Sequence, residues 1–134
     1  MTQKRFTADD ETLSSAISFV ESELEECGAS MKAMMQVCVA VEEIFVNVAH
    51  YAYPDKTGDV FLSIDVNDYV ATIVFTDSGI PFNPLAKTDP DITLSAEERN
   101  IGGLGIFMVK KSMDEVRYER RGENNIFTMV KKVK

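Results

Sequence analysis

The stretch Val60-Phe61-Leu62-Ser63-Ile64-Asp65-Val66-Asn67-Asp68-Tyr69-Val70-Ala71-Thr72-Ile73-Val74-Phe75-Thr76 decides the fold. Val60, Leu62, Ile64 and Val66 alternate with Phe61, Ser63 and Asp65, the period-two pattern of a strand with one buried face. Asn67-Asp68 supplies a tight turn, and Tyr69 to Thr76 returns as a second strand rich in β-branched and aromatic residues. Such a hairpin is antiparallel. The cover for its apolar face must come from elsewhere in the chain.

That cover lies upstream and downstream. Residues 3–7 suit a short edge strand. Asp9 or Asp10 can cap a helix whose apolar positions are Leu13, Ile17, Val20 and Leu24, and Gly28 ends it. Ser30 can cap a second helix over about 31–51, with an apolar face of Met34, Cys38, Val41, Phe45 and Val48, and Pro54 prevents its continuation. Residues 83–101 form a long polar connection containing Pro84 and Pro90; Ser95 and Glu98 form a capping-box pattern for a short helix inside it. A helix over about Leu104–Ser112 follows, then a hairpin pairing 114–121 with 125–133 around Gly122-Glu123-Asn124. The elements predict one α+β domain over 1–134, a two-layer α/β sandwich with a mixed, mostly antiparallel sheet and its helices on one face.

Three segments carry chemistry. On the second helix, at about 100° per residue, Glu43, Asn47 and His50 share a face that Lys32 and Gln36 extend. A carboxamide oxygen is a neutral hard ligand suited to Mg²⁺, and a carboxylate one turn away can deprotonate an attacking group. Glu42 is rotated about 100° away and competes poorly with Glu43. A polar stripe is also what many surface helices show. The lone histidine, His50, reads as a helix-end hydrogen-bonding group.

At the end of the hairpin, Asp77 can project beyond the sheet, and Gly79 leaves room for a flat ligand near the backbone. A carboxylate accepts from an exocyclic amine and rejects a carbonyl in its place. Pro81 and Phe82 can wall an apolar pocket, although Asp-Ser-Gly is equally an ordinary turn. Finally, Gly102-Gly103-Leu104-Gly105 opens a helix, where bare N–H groups can approach phosphate. The spacing is neither the dinucleotide fingerprint nor a Walker A loop. Arg99, in the preceding loop, can add a positive charge to phosphate.

Together, Glu43-x-x-x-Asn47, Asp77-x-Gly79-x-x-Phe82 and Gly102-Gly103-x-Gly105 resemble the N, G1 and G2 boxes of the GHKL ATPase superfamily. The best match is its small branch of anti-sigma regulatory factors, which are serine/threonine kinases, and the resemblance runs over about residues 10–133. It implies a Bergerat-type ATP site: Asn47 on Mg²⁺, Glu43 as base, Asp77 reading adenine, Gly79 beside the base, and Gly103 and Gly105 bordering the phosphates under a lid near 83–101. It also implies partner switching, through a sigma factor or a STAS-domain antagonist phosphorylated on Ser or Thr, and a homodimer. The alternatives are an ATP-dependent binding switch without transfer and a nucleotide-free interaction domain.

Composition bounds these readings. The net charge of −8 opposes general nucleic-acid binding, which needs basic residues to displace counterions. Lys110, Lys111, Arg117, Arg120, Arg121, Lys131, Lys132 and Lys134 cluster late and read as a solvated sheet face. No apolar run approaches a membrane span, and the first residues lead into no signal-peptide core. Cys27 and Cys38 read as reduced thiols of a cytoplasmic protein, with Cys38 in the core.

Overall fold

The computed structural model describes residues 2–86 and 101–134. Five strands, β1 (Thr2–Thr7), β2 (Asp59–Asn67), β3 (Val70–Asp77), β4 (Glu115–Arg121) and β5 (Asn124–Lys132), form one sheet in the order β1-β2-β3-β5-β4. The sequence suggested a mixed, mostly antiparallel sheet; every described pairing is antiparallel. Alternation sends Val60, Leu62, Ile64, Ala71, Ile73, Phe75, Phe127 and Met129 to the helix side, where all are buried.

The β2–β3 turn is displaced by one residue from its expected place. Asn67 pairs with Val70, which leaves Asp68 and Tyr69 as the two turn residues at φ 50° and 62°. This left-handed pair is a type I′ arrangement. Moving the turn by one slides β3 by two along β2, so Leu62 faces Phe75 and Asp77 stays within the sheet opposite Val60. The turn is tied down from the far end of the chain: Val133 N–H donates to Tyr69 O at 2.8 Å, and Lys134 Nζ lies 4.7 Å from the Tyr69 ring centroid.

Helices α1 (Leu13–Glu26), α2 (Met31–Asn47) and α3 (Ile101–Ser112) form the second layer. Asp9 caps the short 3₁₀ turn that leads into α1, its side chain accepting from Thr12 N–H at 3.0 Å. Ser30 caps α2 by accepting from Ala33 N–H at 3.1 Å. α1 and α3 both pack on α2, so its buried arc is wide and centres on Val37, Val41, Ile44 and Phe45. Met34 and Cys38, expected inside, are only half-buried for that reason. Cys27 and Cys38 are both free thiols; burial pushes the Cys38 thiol up, helped by the Glu21 charge across from α1.

α2 also ends earlier than expected. It gives way at Val48 to one π turn, Val48–Ala52. The whole helical segment Met31–Ala52 has the length and composition to cross a membrane, with a mean hydropathy of 1.3 in its most apolar window, contrary to the expectation of no such run. In this fold its apolar arc is spent on the sheet and on α1 and α3.

Candidate nucleotide site

The last turn of α2 brings Glu43 and Asn47 together as the helical spacing predicts. Asn47 is buried, and its amide nitrogen donates to Glu43 O at 2.7 Å and to Glu43 Oε1 at 3.3 Å. Both partners can only accept, which fixes which end of the carboxamide is nitrogen. Asn47 Oδ1 is then left buried with no hydrogen-bond partner among the described residues. An unpaired buried carbonyl oxygen costs on the order of 1–3 kcal/mol and calls for an explanation. A hard cation is a fitting partner for such an oxygen.

The Glu43 carboxylate rests against α3. A Cβ built on Gly105 would lie 2.0 Å from Glu43 Oε1, so only glycine lets the two helices bring these groups this close. Glu43 and Gly105 thereby share the wall of a cleft of about 500 Å³ between α2 and α3, with Met35, Gln36, Val39 and Met108.

A second cluster forms where β3 ends. Asp77 is buried, and its Oδ1 accepts from Gly79 N–H at 2.9 Å and from Asn125 Nδ2 at 2.8 Å. Burial raises the Asp77 carboxyl above its ordinary value; the Asn125 amide, the Gly79 N–H and the Arg120 charge oppose that rise. The turn after Asp77 is stitched to the π turn after α2. Ile80 N–H donates to Ala52 O at 2.9 Å, and a Cβ on Gly79 would lie 2.2 Å from that same oxygen. Tyr53 OH donates to Asp59 O at 2.7 Å and accepts from Ser78 N–H at 2.9 Å. Phe82 stacks on Tyr51 with ring centroids 5.2 Å apart, forming an aromatic wall beside the turn.

Glu43, Asn47 and Gly105 therefore form one group, Asp77, Gly79 and Phe82 another, and the π turn after α2 joins them. Gly102, Gly103 and Leu104 lie in the first turn of α3, which begins three residues earlier than expected. Arg99 and the Ser95 capping box lie outside the described residues. His50 Nε2 lies 2.9 Å from Asp10 Oδ1 at the surface, the helix-end role expected of it.

Two polar residues of this site escaped the sequence reading. Asn125 is buried beneath Asp77, although nothing local marks it; only the β3–β5 register puts it opposite the carboxylate. Arg120 was grouped with the solvated cations. Its neighbours Arg117 and Arg121 do pair outward with Glu115 and Glu119, at 2.7 Å and 3.0 Å. Arg120 turns the other way and donates to Gly79 O at 2.8 Å. Its parity with Val116 and Tyr118 in β4 was the available signal.

A buried carboxylate at a strand end, a carboxylate–carboxamide pair on a core helix and a glycine-rich helix start thus stand on one two-layer α+β fold. The model of the histidine kinase-like ATPase domain family matches residues 6–131, and the chain belongs to that family. It is 26% identical over 129 residues to the anti-sigma F factor of Clostridium acetobutylicum, covering 96% of this chain and 90% of that one. It is 30% identical over 99 residues to the serine-protein kinase RsbW of Bacillus licheniformis, covering 69% of this chain and 61% of that one. Among solved structures, the RsbU and RsbW domains of a Mycobacterium tuberculosis protein superpose with a TM-score of 0.68 at 14% identity, over 99% of this chain and 33% of that one. The histidine kinase domain of a blue-light-activated kinase from Erythrobacter litoralis superposes with a TM-score of 0.58 at 16% identity, over 90% of this chain and 61% of that one. These two likenesses are of fold.

Proposed function

We propose that this chain is a cytoplasmic, Mg²⁺-ATP-dependent regulator of the anti-sigma type. It phosphorylates a STAS-type antagonist on Ser or Thr, sequesters a sigma factor, or does both. The observation that carries this reading is the buried Asn47 oxygen, one turn from Glu43 and without a partner among the described residues, with Glu43 set against Gly105 of α3. The names of the two bacterial relatives support the choice of partner class.

In this reading bound ATP would supply the γ-phosphoryl group, its bond to the bridging oxygen breaking as the acceptor oxygen bonds to phosphorus, with Mg²⁺ as the counter-charge. Asn47 would hold the cation through its Oδ1, which has no partner among the described residues. Glu43 takes the proton of the acceptor hydroxyl, and its hydrogen bond from Asn47 keeps it oriented. Asp77 would accept from the adenine amine, Gly79 would give the ring access, Phe82 would wall the pocket, and the amides of Gly102, Gly103, Leu104 and Gly105 would meet phosphate, with Arg99 to add charge.

The test is transfer from labelled ATP to a purified STAS-domain protein carrying an acceptor Ser or Thr. The native chain should label it when Mg²⁺ is present. Glu43→Gln should lower the rate by roughly 10²–10⁴-fold, the usual worth of a general base, while nucleotide affinity changes little. Undiminished transfer by that variant would remove Glu43 from its role.

A further inference from the structure

Asn125 joins the end of β3 to β4 through both ends of its carboxamide. Its amide nitrogen donates to Asp77 Oδ1 and to Ile80 O, each at 2.8 Å. Its oxygen accepts from Phe82 N–H at 3.2 Å, from Arg120 at 3.1 Å and from the Tyr118 hydroxyl. The first two partners only accept and the last three donate, so the carboxamide can sit only one way round. Arg120 completes the arrangement by holding Gly79 O at 2.8 Å. Asn125 is 3% exposed, and its bond to Asp77 forms out of water, where it is strong and costly to break.

The consequence falls on Asp77. Its Oδ1 already accepts two hydrogen bonds, from Gly79 and Asn125, which leaves Oδ2 as the oxygen with no partner among the described residues. We infer that Asn125, braced by Arg120, is the positioning residue for nucleobase selectivity: it fixes which oxygen of Asp77 faces the base and holds the Gly79–Phe82 turn at the depth the base needs. The inference rests on Asp77 as the reader of an exocyclic amine. An amide does here what a carboxylate or an apolar side chain could not, because both a donor toward Asp77 and an acceptor toward β4 are required.

The test compares ADP and GDP binding by calorimetry for the native chain, Asn125→Ala, Asn125→Asp and Arg120→Gln, between pH 8 and pH 5.5. Among the described residues, the charged and titratable groups facing Asp77 are Arg120 from β4 and Tyr53 just after the π turn, and Tyr118 from β4 meets Asn125. Asn125→Ala should lose at least tenfold in ADP affinity and most of the preference for ADP over GDP. Arg120→Gln, at the outer end of the clamp, should lose several-fold and keeps the test open if the alanine variant fails to fold. Asn125→Asp gives a readout that loosened packing would not. At pH 8 two facing carboxylates repel and ADP affinity should drop. Toward pH 5.5 the pair shares a proton, the introduced carboxyl in its protonated form replaces the lost donor, and affinity should recover while that of the native chain does not rise. Variants that bind ADP within threefold of native, with the same ADP:GDP ratio at both pH values, would overturn the inference alone. A native chain that binds no ADP would overturn the Asp77 reading and the inference with it.

Discussion

At Asp77 the fold and the site pull in opposite directions. Burial raises its carboxyl above the ordinary 3.8, so the folded chain holds that proton to higher pH than the unfolded chain does. Between 3.8 and the raised value the folded state binds more protons, and this group's contribution to stability falls as pH rises through that window. Asp77→Asn should thus leave the ligand-free protein as stable or raise its neutral-pH Tm by a few degrees, on the order of 1 kcal/mol, while abolishing ADP binding. A lower Tm would mean that the ionised form is better solvated than its surroundings imply. Two glycines make a matched contrast. Gly79→Ala drives a Cβ into the Ala52 carbonyl, a backbone atom, and should cost about 2–3 kcal/mol in denaturant unfolding. For Gly105→Ala the nearest atoms are the movable end of Glu43, and the change gains helix propensity. Its stability should be unchanged or up to about 1 kcal/mol higher, with phosphotransfer lost because Glu43 is displaced. Parallel losses of stability in both variants would contradict the distinction.

At the scale of elements, the β2–β3 turn is the place where local chemistry and tertiary contact disagree. A type I′ turn favours glycine or asparagine, yet Tyr69 sits there at φ 62°. Left-handed backbone costs a side-chain-bearing residue about 1–2 kcal/mol. The Lys134 contact on the ring returns about 0.5–1 kcal/mol at an exposed site. The penalty is the larger figure, so Tyr69→Gly should stabilise the chain by about 0.5 kcal/mol, read as a raised urea midpoint with an unchanged slope. A lowered midpoint would mean that the C-terminal contacts outweigh the strain. The π turn after α2 belongs to the same scale. An α-helix continued to residue 51 was the sequence expectation; the wider turn ends with Ala52 O accepting from Ile80 N–H, which ties the Asn47 helix to the Asp77 strand.

For the molecule as a whole, nucleotide should act as a clamp between the layers, because Asp77 belongs to the sheet while Asn47, Glu43 and Gly105 belong to the helices. Ligand that binds only the folded state adds about 2.7 kcal/mol at about a hundred times its Kd, a Tm rise on the order of 10 °C for a chain of this size. A thermal scan with ADP and Mg²⁺ should show this rise in the native chain and none in Asp77→Asn. Equal shifts in both would place the nucleotide elsewhere.

The sequence by itself determined the strands, the three helices, the two-layer α+β class and the pairing of Glu43 with Asn47. Each of these is set by short-range periodicity or by a cap such as Ser30. The tertiary structure alone decided which residues meet across the chain. Antiparallel β3–β5 pairing put Asn125 under Asp77, strand parity turned Arg120 inward, and helices on both flanks shifted the α2 core toward Val37 and Ile44. Those contacts depend on register and packing between segments distant in sequence. No local pattern encodes them, because side-chain alternation is preserved when a strand slides by two.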